Sequence, residues 1–344
     1  MLLNSALISL ALTAQVVPSP AIPAPAPFGA APTVSATAPE FADIAIPASP
    51  EAVPGVDYAN VIPAGEIPAA SPLAEARSLF ESDHEFDGFT GPLSNPVQFK
   101  DPRSLTEARF LFMQNWTRPS TPVIGKASMQ VYALQLRLAL TERLQLFADK
   151  DGIVRLSPDG TQSTTGLANI AAGAKYVFLR DVESQTLGSL AVQYEAPTGY
   201  ANIFQNQGSG LLGIWAIFGK EFGDGYHALL QVGQNLRMNK IDSGYFMTSA
   251  HLDKRFGKFT PFYEVNWFYY NQTGTFLPTL DTEGGGLLNV GAGKVMGLNY
   301  VTNAIGFKYD LTPHAELGVG YEFQLSNRAM LLDNMLHAQL ILRY

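Results

Sequence analysis

The chain contains no cysteine. That excludes a disulfide framework, a thiolate zinc site, a cysteine nucleophile and a lipid-modified lipoprotein cysteine. Charge is scarce as well: Asp, Glu, Lys and Arg make up 15% of the 344 residues, against about 25% in soluble domains. The 22 basic and 30 acidic residues leave a net charge of −8, and without basic clusters nucleic acid is excluded as a partner. No Lys or Arg precedes Arg77. Beyond the extreme N-terminus no apolar run reaches about 18 residues, which rules out a helical membrane protein. A membrane β-barrel stays open.

The first part of the chain differs in kind from the rest. Residues 1–14, MLLNSALISLALTA, resemble the hydrophobic core of an export signal, without the basic residues usual ahead of one. Residues 15–76 carry 13 of the 23 prolines and much alanine. Such a composition cannot bury a core and favours extended polyproline II segments. A disordered Pro/Ala-rich arm is therefore predicted over 15–104, serving as a spacer, with a short helix near 72–80 where Ser71-Pro72 has the form of a helix start.

From about residue 105 to 344 the pattern changes to a period of two, the mark of strands with one apolar and one polar face. Along 315–325, Ala315, Leu317, Val319, Tyr321, Phe323 and Leu325 alternate with Glu316, Gly318, Gly320, Glu322 and Gln324. The closing segment alternates Leu336, Ala338, Leu340, Leu342 and Tyr344 with His337, Gln339, Ile341 and Arg343. Twelve segments of this kind can be drawn: 107–117, 126–140, 142–156, 167–180, 185–197, 209–221, 226–238, 244–256, 258–271, 295–310, 314–327 and 334–344. About 9–11 residues suffice for a tilted strand to cross a bilayer.

The connections alternate between tight turns (at Thr141, 181–184, 222–225, Gly257 and 311–313) and longer links (118–125, 157–166, 198–208, 239–243, 272–294 and 328–333). Outer-membrane barrels have short periplasmic turns and long outer loops. The expectation is thus an all-β, transmembrane, antiparallel up-and-down barrel of about twelve strands in the bacterial outer membrane, seated in lipid, with both termini in the periplasm. Closure leaves no backbone edge exposed to lipid. The candidate lumen-lining residues are Arg137, Arg143, Lys175, Glu195, Glu264, Lys308, Glu316, Glu322 and Arg343. They either set the selectivity of a pore or pair across it and fill it. Trp116, Tyr132, Tyr226, Tyr245, Phe256, Tyr309 and Tyr344 are read as interfacial girdles.

The stretches GLANIAAGAKYVFL (166–179) and LGSLAVQYEAPTG (187–199) resemble the outer-membrane family labelled for the MetA pathway of phenol degradation. Gly173-Ala174-Lys175-Tyr176 and Pro197-Thr198-Gly199 carry the likeness, while Ala168-Asn169 stands where Gly-Asp is common. The strand-turn-strand pieces 220–233 and 311–323 fit the same pattern. The resemblance covers about 160–344. It implies a transporter-like role, and the terminal LILRY ending at Tyr344 resembles the signal read by barrel-assembly machinery. The proline-rich arm is not typical of the family.

Catalytic and metal chemistry find little support. His84, His227, His251, His314 and His337 form no HExxH or other zinc spacing. Asp149-Lys150-Asp151-Gly152 begins like a calcium loop but lacks the later ligands, and is read as the outer end of a strand. No cofactor and no metal site are expected, nor an enzyme. Loop 272–294 is the longest and is a candidate constriction at the mouth. The function expected is a passive channel for small molecules, hydrophobic or aromatic ones among them. The alternatives are an anchoring barrel whose arm meets the cell wall or a partner, and an outer-membrane hydrolase.

Overall fold

A computed structural model describes residues 78–223, 225–326 and 330–344. The signal-like segment and the arm through Arg77 lie outside the described residues, as does most of the helix expected near 72–80, whose last residues Leu79 and Phe80 form a turn.

The period-two segments form fourteen strands: β1 (Glu107–Trp116), β2 (Ala127–Ala139), β3 (Leu144–Lys150), β4 (Ile153–Pro158), β5 (Thr164–Leu167), β6 (Ile170–Asp181), β7 (Thr186–Ala196), β8 (Leu211–Phe222), β9 (Tyr226–Arg237), β10 (Gly244–Lys254), β11 (Phe259–Gln272), β12 (Asn299–Thr312), β13 (Ala315–Gln324) and β14 (Asn334–Arg343). β3 and β4 both pair with β2, while β6 pairs with β3 and β5 with β4. Each of these two couples is one interrupted stave, so fourteen strands make twelve staves. Asp149–Gly152 thus marks a break within a stave rather than the outer end of a strand: the chain resumes as β4.

β1 pairs with β2 on one side and β14 on the other, which closes the cylinder. Glu107 stands opposite Arg137 in one register and Arg343 in the other, and hydrogen-bonds both, so one carboxylate spans the seam. Short turns lie at one end, as at 182–185 and 255–258, and long loops at the other, as at 197–210 and 273–298. These are the periplasmic and outer ends of an outer-membrane barrel.

The outward positions are predominantly apolar: Leu136, Leu190, Ile214, Leu230, Leu252, Ile305, Leu317 and Leu340 are all exposed, while Arg155 and Lys220 are charged exceptions towards the strand ends. A continuous belt of this kind is stable only in lipid, since soluble proteins rarely expose apolar patches beyond a few hundred Å². No described helix is long and apolar enough to cross a membrane; the crossing is made by strands. Trp116, Tyr132, Tyr226, Phe256, Tyr309 and Tyr344 are exposed on this wall. Tyr245 is not, because it shares its parity with Ser249, His251 and Asp253 and is buried inside.

The arm expected over 15–104 does not extend to residue 104. Residues 82–104 enter the barrel, and all of them but His84, Glu85, Asp87, Gly88 and Asn95 are buried. Both legs of this segment stand at the periplasmic rim, where Asp83 N–H donates to the Ser104 carbonyl (2.9 Å) and Ser82 Oγ to the Tyr344 carbonyl. Its apex, Leu93–Val97, reaches the far half of the lumen. There the long loop closes the mouth, with Leu280, Leu288, Val290, Val295 and Leu298 buried.

Candidate functional site: the plugged lumen

Alternation turns one residue in two of every stave inward, and the character of those residues changes along the axis. Near the periplasm β1 contributes Glu107 and Arg109, and β2 contributes Arg137; towards the outside the same strands contribute Leu111, Met113, Met129 and Val131. Tyr245, Phe268, Tyr270 and Tyr300 form an aromatic cluster in the outer half, with ring centroids 5.1 to 5.8 Å apart. Between the two zones runs a belt of uncharged polar groups: Gln135, Gln193, Gln231, Ser249, Asn266, Thr302 and Gln339, all buried.

The plug is rich in Pro and Gly and has no strand of its own, so its backbone polar groups need partners from elsewhere. Wall side chains supply them. Gln135 Nε2 donates to the Pro96 carbonyl (2.9 Å) and Gln339 Nε2 to that of Leu93 (3.1 Å). Gln231 accepts from Lys100 N–H and donates to the Gln98 carbonyl, both at 2.8 Å. Lys175 Nζ donates to the carbonyls of Asp101 and Arg103, and Ser189 Oγ to that of Pro102. At the apex Glu264 accepts from the N–H groups of Leu93 (2.8 Å) and Ser94 (2.7 Å).

Charge adds to this frame. Lys100 Nζ lies 2.9 Å from Asp149, donates to Gln193 Oε1 at 2.6 Å, and sits 4.9 Å from the ring centroids of both Phe147 and Trp215. Arg103 grips Asp101 through two nitrogens (3.0 and 2.7 Å). Closer to the rim, Arg180 pairs with Asp83 in the same two-pronged way (2.9 and 2.8 Å). Ion pairs buried as deeply as Lys100–Asp149 and Arg103–Asp101 hold only where both partners stay in place, since removing one leaves an uncompensated charge.

Of the candidate lumen residues, Arg137, Lys175, Glu195, Glu264, Lys308, Glu316 and Glu322 are buried on the inner face. Arg343 is also turned inward, pairing with Glu107 and Glu316. Arg143 is the exception. It sits in the turn between β2 and β3 and donates to the carbonyls of Val177 and Phe178, outside the lumen. The inward histidines are all carboxylate-bound: His227 to Asp253 (2.8 Å), His251 to Glu264 (2.7 Å) and Asp253 (2.9 Å), and His337 to Glu322 (2.9 Å). Glu264 and Glu322 converge on Ser94, the first through its N–H and the second through Asn266, whose amide reaches Ser94 Oγ at 3.0 Å.

Two glycines of β13 make room for the plug. A Cβ at Gly318 would lie 2.7 Å from Leu93 Cδ1, and one at Gly320 2.8 Å from Leu93 Cδ2. Small cavities persist beside the apex. One of about 20 Å³ lies among Val97, Met113, Phe268, Met330 and Met335, and another of about 20 Å³ lies under the break in the wall, among Pro96, Leu111, Val131, Ala133 and Asp151. The plug is not legible in the sequence because 82–104 has no periodicity. Its one signal is a cluster of Phe86, Phe89, Leu93, Val97 and Phe99 in a segment otherwise read as a spacer.

A closed twelve-stave barrel with an apolar belt outside and a polar, plugged interior is an outer-membrane barrel. Comparison with solved structures agrees on the fold. The COG4313 outer membrane channel from Pseudomonas putida F1 is similar at a TM-score of 0.50 and 14% identity, over 74% of this chain and 100% of that one. The NanC porin matches at 0.45 and 7% identity (70% and 100% covered), and the translocator domain of the autotransporter NalP from Neisseria meningitidis at 0.42 and 10% (73% and 92%). No family model matches the chain, and no curated protein does. The MetA-pathway label thus has no matching model behind it.

Proposed function

We propose that the protein is a gated, non-enzymatic channel of the outer membrane, closed by its own segment 82–104 and opened when that segment leaves the lumen. The observation that carries this reading is the chemistry of the plug's attachment. In the middle of the barrel much of its hold comes from glutamines, asparagines and charged groups that water can replace on withdrawal, while its Phe86, Phe89 and Phe99 join a buried apolar cluster with Val177, Leu187 and Leu229. Net hydrogen-bond energies of about 0.5–1.5 kcal/mol each make such an attachment reversible.

The solute we infer is small and hydrophobic or aromatic. The outer half of the lumen carries Met113, Met129, Met335, Phe268, Tyr270 and Tyr300 on its inner face, and the cavity beside Met113 and Phe268 is lined mainly by apolar side chains. The resemblance of 166–199 to the MetA-pathway barrels points the same way.

The test uses the absence of cysteine. With Ser94→Cys and Asn266→Cys the two new thiols are the only ones in the chain, placed where side-chain atoms now meet at 3.0 Å. Oxidation should hold the channel shut in planar bilayers, and reductant should restore openings. Openings that continue after the cross-link has formed would refute the gate. A barrel that stays silent even with 82–104 deleted would favour the structural or anchoring reading.

A further inference from the structure

One sector of the outer wall departs from the apolar belt. In the register of β1, β2, β4 and β5, Gln114 stands opposite Gln130, Gln130 opposite Arg155, and Arg155 opposite Thr165, all four with outward parity. The outward row one step towards the membrane centre is Phe112, Tyr132, Ile153 and Leu167, again each opposite the next, and the last three are exposed. One step towards the outside stand Trp116, Ser128 and Ser157, and Ser163 donates to the Ser157 hydroxyl at 2.9 Å. On four neighbouring staves the side chains thus change from apolar to polar over the same step of the ladder. Such a boundary matches that between hydrocarbon and headgroup.

Arg155 is the cation of the polar row. It is exposed, three residues from the outer end of β4 at Pro158, and it has no hydrogen-bond or ion-pair partner among the described residues. Its neighbours at the outer end are engaged: Lys126 pairs with Asp159 at 3.0 Å, and Arg118 with Asp333. A charge on a lipid-facing wall is costly at the midplane and tolerated near the interface. There a guanidinium offers a fork of donors that fits a phosphate through two parallel bonds. Side chains directly opposite one another in an antiparallel pair lie about 4.5–5.5 Å apart at Cβ, so Gln130 and Thr165 flank the point that Arg155 commands. Gln130 is oriented by its bond to Gln114 (3.0 Å). A second copy of the chain is a poorer occupant, since Asp159 and Asp333 are already paired and supply no free counter-charge.

We propose that this sector binds one phosphorylated glycolipid of the outer leaflet. Arg155 takes a phosphate, Gln130, Thr165 and Ser157 bond the neighbouring headgroup oxygens, and Phe112, Tyr132, Ile153 and Leu167 carry the first methylenes of the acyl chains. The site lies across the two interrupted staves, where β3 and β4 meet β2 separately, so the bound lipid bridges the part of the wall whose ladder is broken. The inference is independent of the gate.

The experiment is native mass spectrometry of the full chain, delipidated in detergent and titrated with diphosphorylated lipid A. The parent chain should retain one equivalent, and Arg155→Gln should bind about tenfold more weakly, as expected for loss of a charge-assisted pair. Arg155→Lys should fall between them, because an ammonium lacks the fork. Lys220→Gln, which removes an exposed outward cation at the opposite end of the wall, should bind like the parent. Lipid A stripped of its phosphates should bind the parent no better than intact lipid A binds Arg155→Gln. Faster migration of unboiled protein on gels verifies that each variant is a folded barrel. A parent chain that retains no stoichiometric lipid A overturns the proposal, as does an Arg155→Gln variant that binds as tightly, or phosphatidylglycerol displacing lipid A at equal concentration. Dimers that Arg155→Gln abolishes would give the sector to a second copy instead.

Discussion

Lys100 is the side chain whose replacement should most directly change how often the lumen is open. Its bond to the Val97 carbonyl (2.6 Å) lies within the plug and survives withdrawal, but the contacts to Asp149, Gln193, Phe147 and Trp215 are lost. Removing one member of a buried ion pair costs about 3–5 kcal/mol. Asp149 keeps Arg137 at 3.3 Å, so the lower figure applies. In Lys100→Met the thioether sits between the two rings and recovers about 1 kcal/mol through sulfur–aromatic contact. The net loss to the plugged state is therefore about 2 kcal/mol, or about a thirtyfold fall in the plugged-to-open ratio. Single-channel recording in planar bilayers reads this as open-state occupancy, with Lys100→Arg as the charge-conserving control. An occupancy in Lys100→Met equal to that of the parent chain would refute the idea that wall contacts at Lys100 hold the gate.

Gly320→Val should place a branched side chain against Leu93, and overpacking of this kind costs about 1–3 kcal/mol. Open occupancy should rise about tenfold and return towards the parent value when Leu93→Ala is added; a rise that Leu93→Ala leaves untouched would show that the barrel wall itself had been damaged. Burial, then the charges of Glu195 and Glu283, raise the Asp242 carboxyl to about 7 from 3.8, so the folded outer loops bind the proton more tightly than opened ones. The stability that this group contributes is fully present below about pH 4 and lost as the pH climbs through about 7. Protease protection of the outer loops against pH measures this, and Asp242→Asn should flatten the curve. Asp83→Asn removes a charge that Arg180 holds at a partly exposed site, worth about 1 kcal/mol; occupancy should rise about fivefold, and a change greater than that of Lys100→Met would place the main latch at the rim instead.

The strands were readable because lipid imposes a simple rule on them: Leu317 and Tyr321 must face out while Glu316 and Glu322 face in, and a period of two records that directly. The alternation of short and long connections fixed the order of staves and the ends of the barrel. What failed was local parity at the margins. Tyr245 stands at a strand end, where an aromatic suggests a girdle, although its spacing from Ser249 and His251 turns it inward. Arg143 has the parity of a lumen residue, but with Thr141 and Glu142 it belongs to the turn between β2 and β3. The break at Asp151-Gly152 could not be seen, because β3 and β4 share a partner strand and the mismatch exists only in pairing. The plug was the largest loss. Its fold is dictated by Gln135, Gln231, Glu264 and Gln339, which are 39 to 246 positions away from the residues they hold, and no local pattern in 82–104 encodes them.

Since Ser82 and Ser104 stand side by side at one rim, the inserted segment is a bight of chain and its two ends never pass through the cylinder. Zipping β1 to β14 therefore need not wait for anything to be threaded. Wall and stopper can be made in either order, and a stopper drawn out can return without undoing the wall. A version shorn of residues 78–100 should accordingly still reach the bilayer as a finished hoop, and a separate peptide of that sequence offered from the periplasmic side should be able to seal it.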